Sequence, residues 1–428
     1  MRLNYRRTAL VGLTFLSISA FWQLYNFVIP LILQYTFGFK EDVIGYVMAE
    51  DNILALFLLP LFGTLSDRTH TRLGKRTPFI LVGTVVSVAL MVILPLADWY
   101  KNLTLFVITL ALLLIAMATY RSPAVALMPD VTPKPLRSKA NAIINLLGAV
   151  GGIFAYLVIA VLAPPVNTET GTKDSSYLTL FLCIAALMSL TLVILLLTIR
   201  ENRLAAMMPA DDAKAEDTPQ GTSEKMPRDV KRSLIFMLFS VAFWYMAYNA
   251  VETAYSRFVL EEWNQPESVA SVMMIVAMLV ATASYVPIGI LSGKIGRKKV
   301  ILGGVVLMGL SFATGMLFTA YSVLMYAVMG CIGIGWAAIN VNSYPMVVEM
   351  SKSGDIGKYT GYYYTFSMAA QVFTPILSGY LFRFFGYKAL FPYAVAFSAI
   401  AFVTMCMVRH GDVKVEKAGS LLENFDVD

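Results

Sequence analysis

Charge is scarce in this sequence: Asp, Glu, Lys and Arg together make up 14% of 428 residues. A soluble globule carries about 25% charged residues, so this chain lacks the polar surface to stay wet alone. Histidine is rarer still, with only His70 and His410, and the three cysteines, Cys183, Cys331 and Cys406, stand singly in apolar runs. These shortages leave no metal-ligand spacing and no Cys–His nucleophilic pair, which argues against an enzyme and implies neither metal nor organic cofactor. The cysteines read as packing residues. The first apolar run follows Arg2, Arg6 and Arg7 without a small-residue cleavage site, and therefore reads as a retained helix.

What the chain has in abundance is apolar length, with 58% hydrophobic residues and a mean hydropathy of +0.69. A bilayer core of about 30 Å needs roughly 20 apolar residues per helical crossing. Such runs lie at 8–33, 43–65, 78–97, 102–129, 139–163, 176–199, 233–260, 268–291, 299–320, 321–348, 358–382 and 388–408. The expected fold is an all-α membrane protein of twelve transmembrane helices. The break between the ninth and tenth rests on Thr319, Tyr321 and Ser322. With the N-terminus inside, 26 of the 33 Lys and Arg fall on the cytoplasmic side and six on the other, leaving Arg121 at depth. This asymmetry implies a multi-pass protein of the cell membrane with both termini cytoplasmic. It also accounts for the net charge of +6 without a nucleic-acid partner. Residues 200–232 hold 14 charges and Pro209, Pro219 and Pro227, the composition of a solvated linker. The domains expected are thus a bundle at 1–199, a linker at 200–232, a second bundle at 233–409 and a tail at 410–428.

Between the second and third runs the sequence reads Gly63-Thr-Leu-Ser-Asp67-Arg68-Thr-His-Thr-Arg72-Leu-Gly74-Lys75-Arg76-Thr-Pro78-Phe79. Gly63 and Gly74 permit close helix approach and a tight turn. Asp67 can accept charge-assisted bonds from nearby guanidinium groups. A degenerate copy, Gly289-Ile-Leu-Ser292-Gly293-Lys294-Ile-Gly296-Arg297-Lys298-Lys299, follows 226 positions later, as a duplicated six-helix unit requires. Asp130 with Arg137, and Glu349 with Lys358, form a second repeated feature after the fourth and tenth runs. They are candidates, with Asp67 and Arg68, for ion pairs that hold one side shut; solvated loop charges are the plainer alternative.

The loop resembles the motif of the major facilitator superfamily. More closely, Pro60-Leu-Phe-Gly63, Ser66-Asp67-Arg68 and Arg72-Leu-Gly74-Lys75-Arg76-Thr-Pro78-Phe79 resemble the sucrose/proton symporters of plants and their animal and bacterial relatives, within the glycoside–pentoside–hexuronide symporter group. Tyr120-Arg121-Ser-Pro123 to Pro129-Asp130, then Arg137-Ser-Lys139-Ala-Asn141, has the same character. The resemblance implies two pseudo-symmetric bundles and alternating access, with sugar and proton carried together. It also marks departures. Ala55 and Leu59 stand where sodium-coupled members carry aspartates, and Leu113 and Leu114 where plant symporters carry an acid. Arg121 precedes Pro123, whereas their arginine follows the proline.

Ionisable residues at membrane depth are functional candidates by default. Asp51, Glu252 and, less favourably placed, Glu50 are the acids that could carry the proton; Arg121 could offer hydrogen bonds to substrate hydroxyls or neutralise a carboxylate. Paired ions tying helices together are the structural alternative. A sugar site also needs amides and aromatic platforms. Trp22, Gln23 and Asn26 supply them in the first run, Tyr248 and Asn249 in the seventh, and Asn340, Asn342 and Tyr344 in the tenth. The eleventh adds Tyr362, Tyr363, Tyr364 and Gln371. The expectation is a monomeric, proton-coupled symporter of a disaccharide or related glycoside in a lipid bilayer. Export of sugars or amphipathic compounds by antiport, and sugar sensing without transport, are the alternatives.

Overall fold

The computed structural model describes residues 3–133, 136–165, 176–207, 227–350 and 356–412. Within them the chain forms twelve long helices: α1 (Tyr5–Leu31), α2 (Glu41–Asp67), α3 (Thr77–Trp99), α4 (Leu103–Asp130), α5 (Arg137–Leu162), α6 (Leu178–Thr198), α7 (Arg228–Trp263), α8 (Glu267–Ile295), α9 (Arg297–Gly315), α10 (Leu324–Glu349), α11 (Ile356–Phe385) and α12 (Leu390–Cys406). A short helix, Glu201–Ala205, follows α6, and α1 runs on into a π-helical turn, Ile32–Thr36. Eleven of the twelve are long and apolar enough to cross a membrane. The other, α11, has 30 residues, ample length to span, but its apolar density is diluted by Lys358, Gln371 and a series of tyrosines. The fold is an all-α, multi-pass membrane architecture.

Two expected boundaries move. The ninth helix stops at Gly315 and the tenth starts at Leu324, so the break is wider than expected, running from 316 to 323 with Thr319, Tyr321 and Ser322 inside it. Gly315 lies against the ring of Phe391, leaving no room for a Cβ. The stretch expected as linker is also partly structured, because α7 begins at Arg228 and Glu201 opens a helix in which its own side chain is 2% exposed. The remainder of that stretch from 208 to 226, and most of the expected tail, lie outside the described residues. Prolines sit inside α1 (Pro30), α2 (Pro60), α3 (Pro95), α4 (Pro123, Pro129), α8 (Pro287), α10 (Pro345) and α11 (Pro375). Membrane helices tolerate them where neighbouring groups satisfy the freed carbonyls.

The chain divides into two compact units. One comprises Met1–Phe39, Glu50–Glu216 and Pro266–Val272; the other Lys40–Ala49, Asp217–Gln265 and Met273–Asp428. Taken separately, they are built alike. In the first, α1 packs on α5 and α6, and α3 packs on α4 and α6. In the second, α7 packs on α11 and α12, and α9 on α10 and α12. Each pairing recurs when six is added to both helix numbers, the structural counterpart of the repeated loop. Small residues let backbones meet at these crossings: a Cβ on Gly151 of α5 would fall on the carbonyl of Leu16 in α1, and Gly304 of α9 faces Gly335 of α10. The second unit also holds the first turns of α2, where Glu41 accepts from Arg257 at 2.7 Å and Asp42 pairs with Arg383.

Candidate functional site

Two polar constructions stand out in each unit, one at the repeated loop and one inside the helices. In the first unit the loop converges on Arg76, which is 5% exposed. Its Nε donates to Asp130 at 2.8 Å, one terminal nitrogen donates to the Gly63 carbonyl at 3.2 Å and to Ser66, and the other to Asp67. The fork therefore ties the ends of α2 and α4 to the start of α3. Lys75 adds a second cation to Asp130 at 3.1 Å. From the chain leaving α6, Glu201 accepts from the backbone N–H of Lys75 (2.9 Å), Arg76 (2.9 Å) and Thr77 (2.8 Å), and from the Thr77 hydroxyl (2.7 Å). These are N–H groups that a helix start leaves unsatisfied, and the helix dipole favours a carboxylate there. Gly74, at φ 125°, lies where a Cβ would collide with that carboxylate.

The second unit repeats the plan with fewer parts. Arg297 at the start of α9 pairs with Glu349 at the end of α10, as Arg76 pairs with Asp130. Asp412, beyond α12, accepts from the N–H of Lys298 at 3.3 Å and lies against Gly296, at φ 94°. The sequence-based pairings within each feature are thus corrected. Asp130 and Glu349 take Arg76 and Arg297 from the preceding loops, because those loops return to the helix ends, whereas Arg137 starts α5 and donates back to the carbonyls of Pro129 and Thr132 at 3.0 and 3.3 Å. Lys358, Arg68 and Arg72 are exposed.

Inside the first unit, α1, α2 and α4 bring together most of the expected polar residues. The Arg121 guanidinium lies 5.5 Å from the ring centre of Trp22 and within electrostatic reach of Asp51. Asp51 also accepts from Asn52 Nδ2 at 2.8 Å, while its neighbour Glu50 is exposed. Gln23 is oriented by Tyr156 of α5, whose hydroxyl donates to its Oε1 at 2.7 Å. Asn26 is half-buried on the same helix. A cation over an indole face and within the field of a carboxylate responds to both, so a change at either one alters what it offers to a ligand.

Inside the second unit, the arrangement is aromatic. Tyr248 of α7 stacks on Trp336 of α10, with ring centres 3.9 Å apart and planes at 5°, and Tyr245 meets the same indole edge-on at 5.2 Å. Glu252 lies within electrostatic reach of the Tyr248 hydroxyl, and Asn249 is 9% exposed. Tyr344 and Tyr363 lie 5.5 Å apart and bond Thr360 and Ser343 at 3.0 and 2.9 Å. Asn340 is buried near the same helix face. Asn342 and Gln371, expected as ligand amides, instead turn back on their own helices: their Nδ2 and Nε2 donate to Ala338 and Ser367 carbonyls at 2.8 and 3.4 Å.

Trp336, Tyr156, Glu201 and Asp412 carry weight that the sequence alone does not give them. One signal points to part of this. At the 226-residue offset of the loop, Trp22-Gln23-x-x-Asn26 meets Tyr248-Asn249-x-x-Glu252, an aromatic, an amide and a polar group repeated on α1 and α7.

The sequence profile of the Major Facilitator Superfamily matches residues 11–256 and 237–424. Among curated proteins, the chain is similar to a lactose permease of Lactobacillus helveticus (28% identity over 47% of this chain and 34% of that protein) and to human proton-associated sugar transporter A (30%, over 45% and 27%). It is also similar to the sucrose transport protein SUC3 of Arabidopsis thaliana (29%, over 28% and 24%). The aligned stretches thus span about a third or less of these relatives' lengths. Among solved structures, a point variant of the nucleoside transporter NupG superposes with a TM-score of 0.69 at 16% identity, covering 94% of this chain and 99% of that one. A POT family transporter in complex with a thioalcohol-conjugated peptide gives 0.70 at 12%, covering 94% of each. Profile, repeat and fold agree, and the chain belongs to the Major Facilitator Superfamily.

Proposed function

We propose that this protein is a secondary active transporter that carries a disaccharide or related glycoside together with a proton across the cell membrane. The observation that carries the reading is Arg121, set over Trp22 and within electrostatic reach of Asp51 in the membrane-spanning part of the first unit. While Asp51 is ionised it attracts the guanidinium; protonation of the carboxyl weakens that attraction and leaves the guanidinium donors to sugar hydroxyls, and the indole offers a flat face to the sugar ring. Binding of sugar is thereby linked to binding of a proton at an adjacent group. Within the second unit, the stacked Trp336 and Tyr248, with Glu252 within electrostatic reach of the Tyr248 hydroxyl, offer an aromatic platform and a further candidate acid of their own. The names borne by the similar proteins, among them lactose permease, proton-associated sugar transporter and sucrose transport protein, support the substrate class.

The loop around Arg76 is assigned to conformational switching and not to substrate contact. It binds the ends of α2, α3 and α4 into one block, and its groups sit at helix ends, apart from the Arg121 cluster. The positive-inside pattern places that loop, the linker and both termini in the cytoplasm.

The test is uptake of radiolabelled sucrose, maltose and lactose into proteoliposomes with and without an imposed pH gradient. Accumulation of at least one sugar that collapses with the gradient is expected. Sugar uptake indifferent to the gradient would remove the proton, and absence of all sugar uptake would remove the substrate class.

A further inference from the structure

The Arg121 cluster contains two buried donors with nothing to donate to. Among the described residues, the hydroxyl of Tyr25 and the indole Nε1 of Trp22 are enclosed and have no hydrogen-bond partner. Tyr25 is 1% exposed. Buried polar atoms left unpaired are rare in native proteins and call for an explanation. Serine and threonine hydroxyls on a helix can bond back to the carbonyl three or four residues earlier, as Ser17 and Thr14 of α1 do. A phenol hydroxyl lies too far from its own backbone for that, and an indole N–H accepts nothing. Each needs an acceptor from outside its helix.

The surroundings define what that acceptor is. Trp22 and Tyr25 are three residues apart on α1, their rings 5.4 Å apart and edge to face. Phe21 closes one side at 5.2 Å from Trp22. Other neighbours are charged: Arg121 over the indole, with Asp51 and Glu50 within electrostatic reach of the Tyr25 hydroxyl. The site therefore presents an indole N–H, a phenol and a guanidinium as donors, and carboxylates as acceptors. A sugar hydroxyl can accept and donate at once, which matches that mixture, whereas an apolar or purely cationic ligand would leave the two donors unpaired.

We infer that Tyr25 and Trp22 form a donor pair that reads two oxygens of the carried sugar as acceptors, directing the protons of those hydroxyls towards the carboxylates on α2. The inference rests on the sugar-transport reading and names which side chains set its specificity. It adds Tyr25 as a substrate-contacting residue and assigns Trp22 a second role, since its ring holds Arg121 while its N–H faces a ligand atom.

The experiment uses the full chain in nanodiscs, with sucrose, maltose and lactose as probes, and compares wild type with Tyr25→Phe and Trp22→Phe. Both substitutions keep a ring and delete one donor. Calorimetric affinity for the bound sugar should fall about tenfold in each variant, the scale of one lost hydrogen bond. In a monodeoxy series of that sugar, one position should lose affinity for wild type yet no longer discriminate in Tyr25→Phe. Sugar-free melting temperature should stay level or rise in Tyr25→Phe, because an unpaired buried hydroxyl has been removed. A drop of several degrees without sugar would show that the hydroxyl has a structural partner and overturn the assignment whatever the substrate. Wild-type binding with unchanged affinity in both variants would overturn it alone. If wild type binds none of the probes, the sugar reading falls and this assignment falls with it.

Discussion

A guanidinium has five N–H donors in a fixed plane, and the worth of an arginine depends on how many of them are used. Arg76 spends its donors on two carboxylates, a hydroxyl and a carbonyl while nearly buried. A lysine there keeps the charge but cannot span those acceptors. Arg76→Lys is therefore expected to cost about 2–3 kcal/mol of stability, seen as a lower melting temperature of the purified protein. Arg121 lies over an indole and within electrostatic reach of a carboxylate, so its cluster tests differently. Asp51→Asn imitates the protonated acid and should abolish accumulation driven by a pH gradient while preserving sugar exchange at equal concentrations. Persistent accumulation with normal pH response in Asp51→Asn, in Glu252→Gln and in the double variant would place the proton elsewhere. Legibility at this scale is uneven for physical reasons. Asp51 and Arg121 announce themselves because charge inside an apolar run is costly. Arg76 cannot be told from Arg68 or Arg72 by sequence, since four cations share one loop and only the return of the chain to the helix ends selects one. Glu201 looks solvated in the sequence because it opens a charged stretch. Asn342 and Gln371 are harder to assign from sequence, because an amide on a helix can also bond its own backbone.

Helices are the easiest feature to read, because twenty apolar residues in a row have few other uses, and the errors fall where apolar density fails to mark the break. The ninth and tenth helices part over residues 316–323, a break that opens on the apolar Met316 to Phe318, and α11 carries a series of tyrosines. What fixes how closely helices approach is less visible, since a glycine in a membrane segment can face either lipid or a neighbour's backbone. Here the two cases separate. A Cβ at Gly151 would meet the Leu16 carbonyl, whereas a Cβ at Gly303 would have nothing within 4 Å. Gly151→Val should push α5 from α1 and destabilise by about 1–3 kcal/mol or more. Gly303→Ala should be neutral or stabilise by up to about 1 kcal/mol. Thermal unfolding of the two variants side by side checks both; equal losses would mean that the crossing is not limited by glycine.

For the molecule as a whole, the duplicated plan is visible in the 226-residue echo of the loop, and the structure extends it to helix pairings and to the carboxylate that follows each unit's last helix. The orientation proposed for it in the membrane rests on charge placement alone. Single cysteines at Ser223 and Thr170, in a background lacking the native three, should be labelled by an impermeant reagent from opposite sides, with position 223 unreachable from outside intact cells. Labelling of position 223 from outside would invert the topology. The duplication is not symmetric in strength: Glu201 accepts from four donors at the start of α3, while Asp412 accepts from the N–H of Lys298 at 3.3 Å at the start of α9.

That inequality sets where this polypeptide can be divided. Asn202 also donates to the carbonyls of Thr71 and Arg72 at 2.9 and 3.2 Å, so the residues just after α6 complete a helix start more than a hundred positions upstream. A gene split at residue 199 would separate the first six helices from their own cap, and one split at residue 207 would leave it attached. The longer N-terminal fragment should survive expression with its C-terminal counterpart, and the shorter one should be degraded, although the two differ by eight residues and no membrane span.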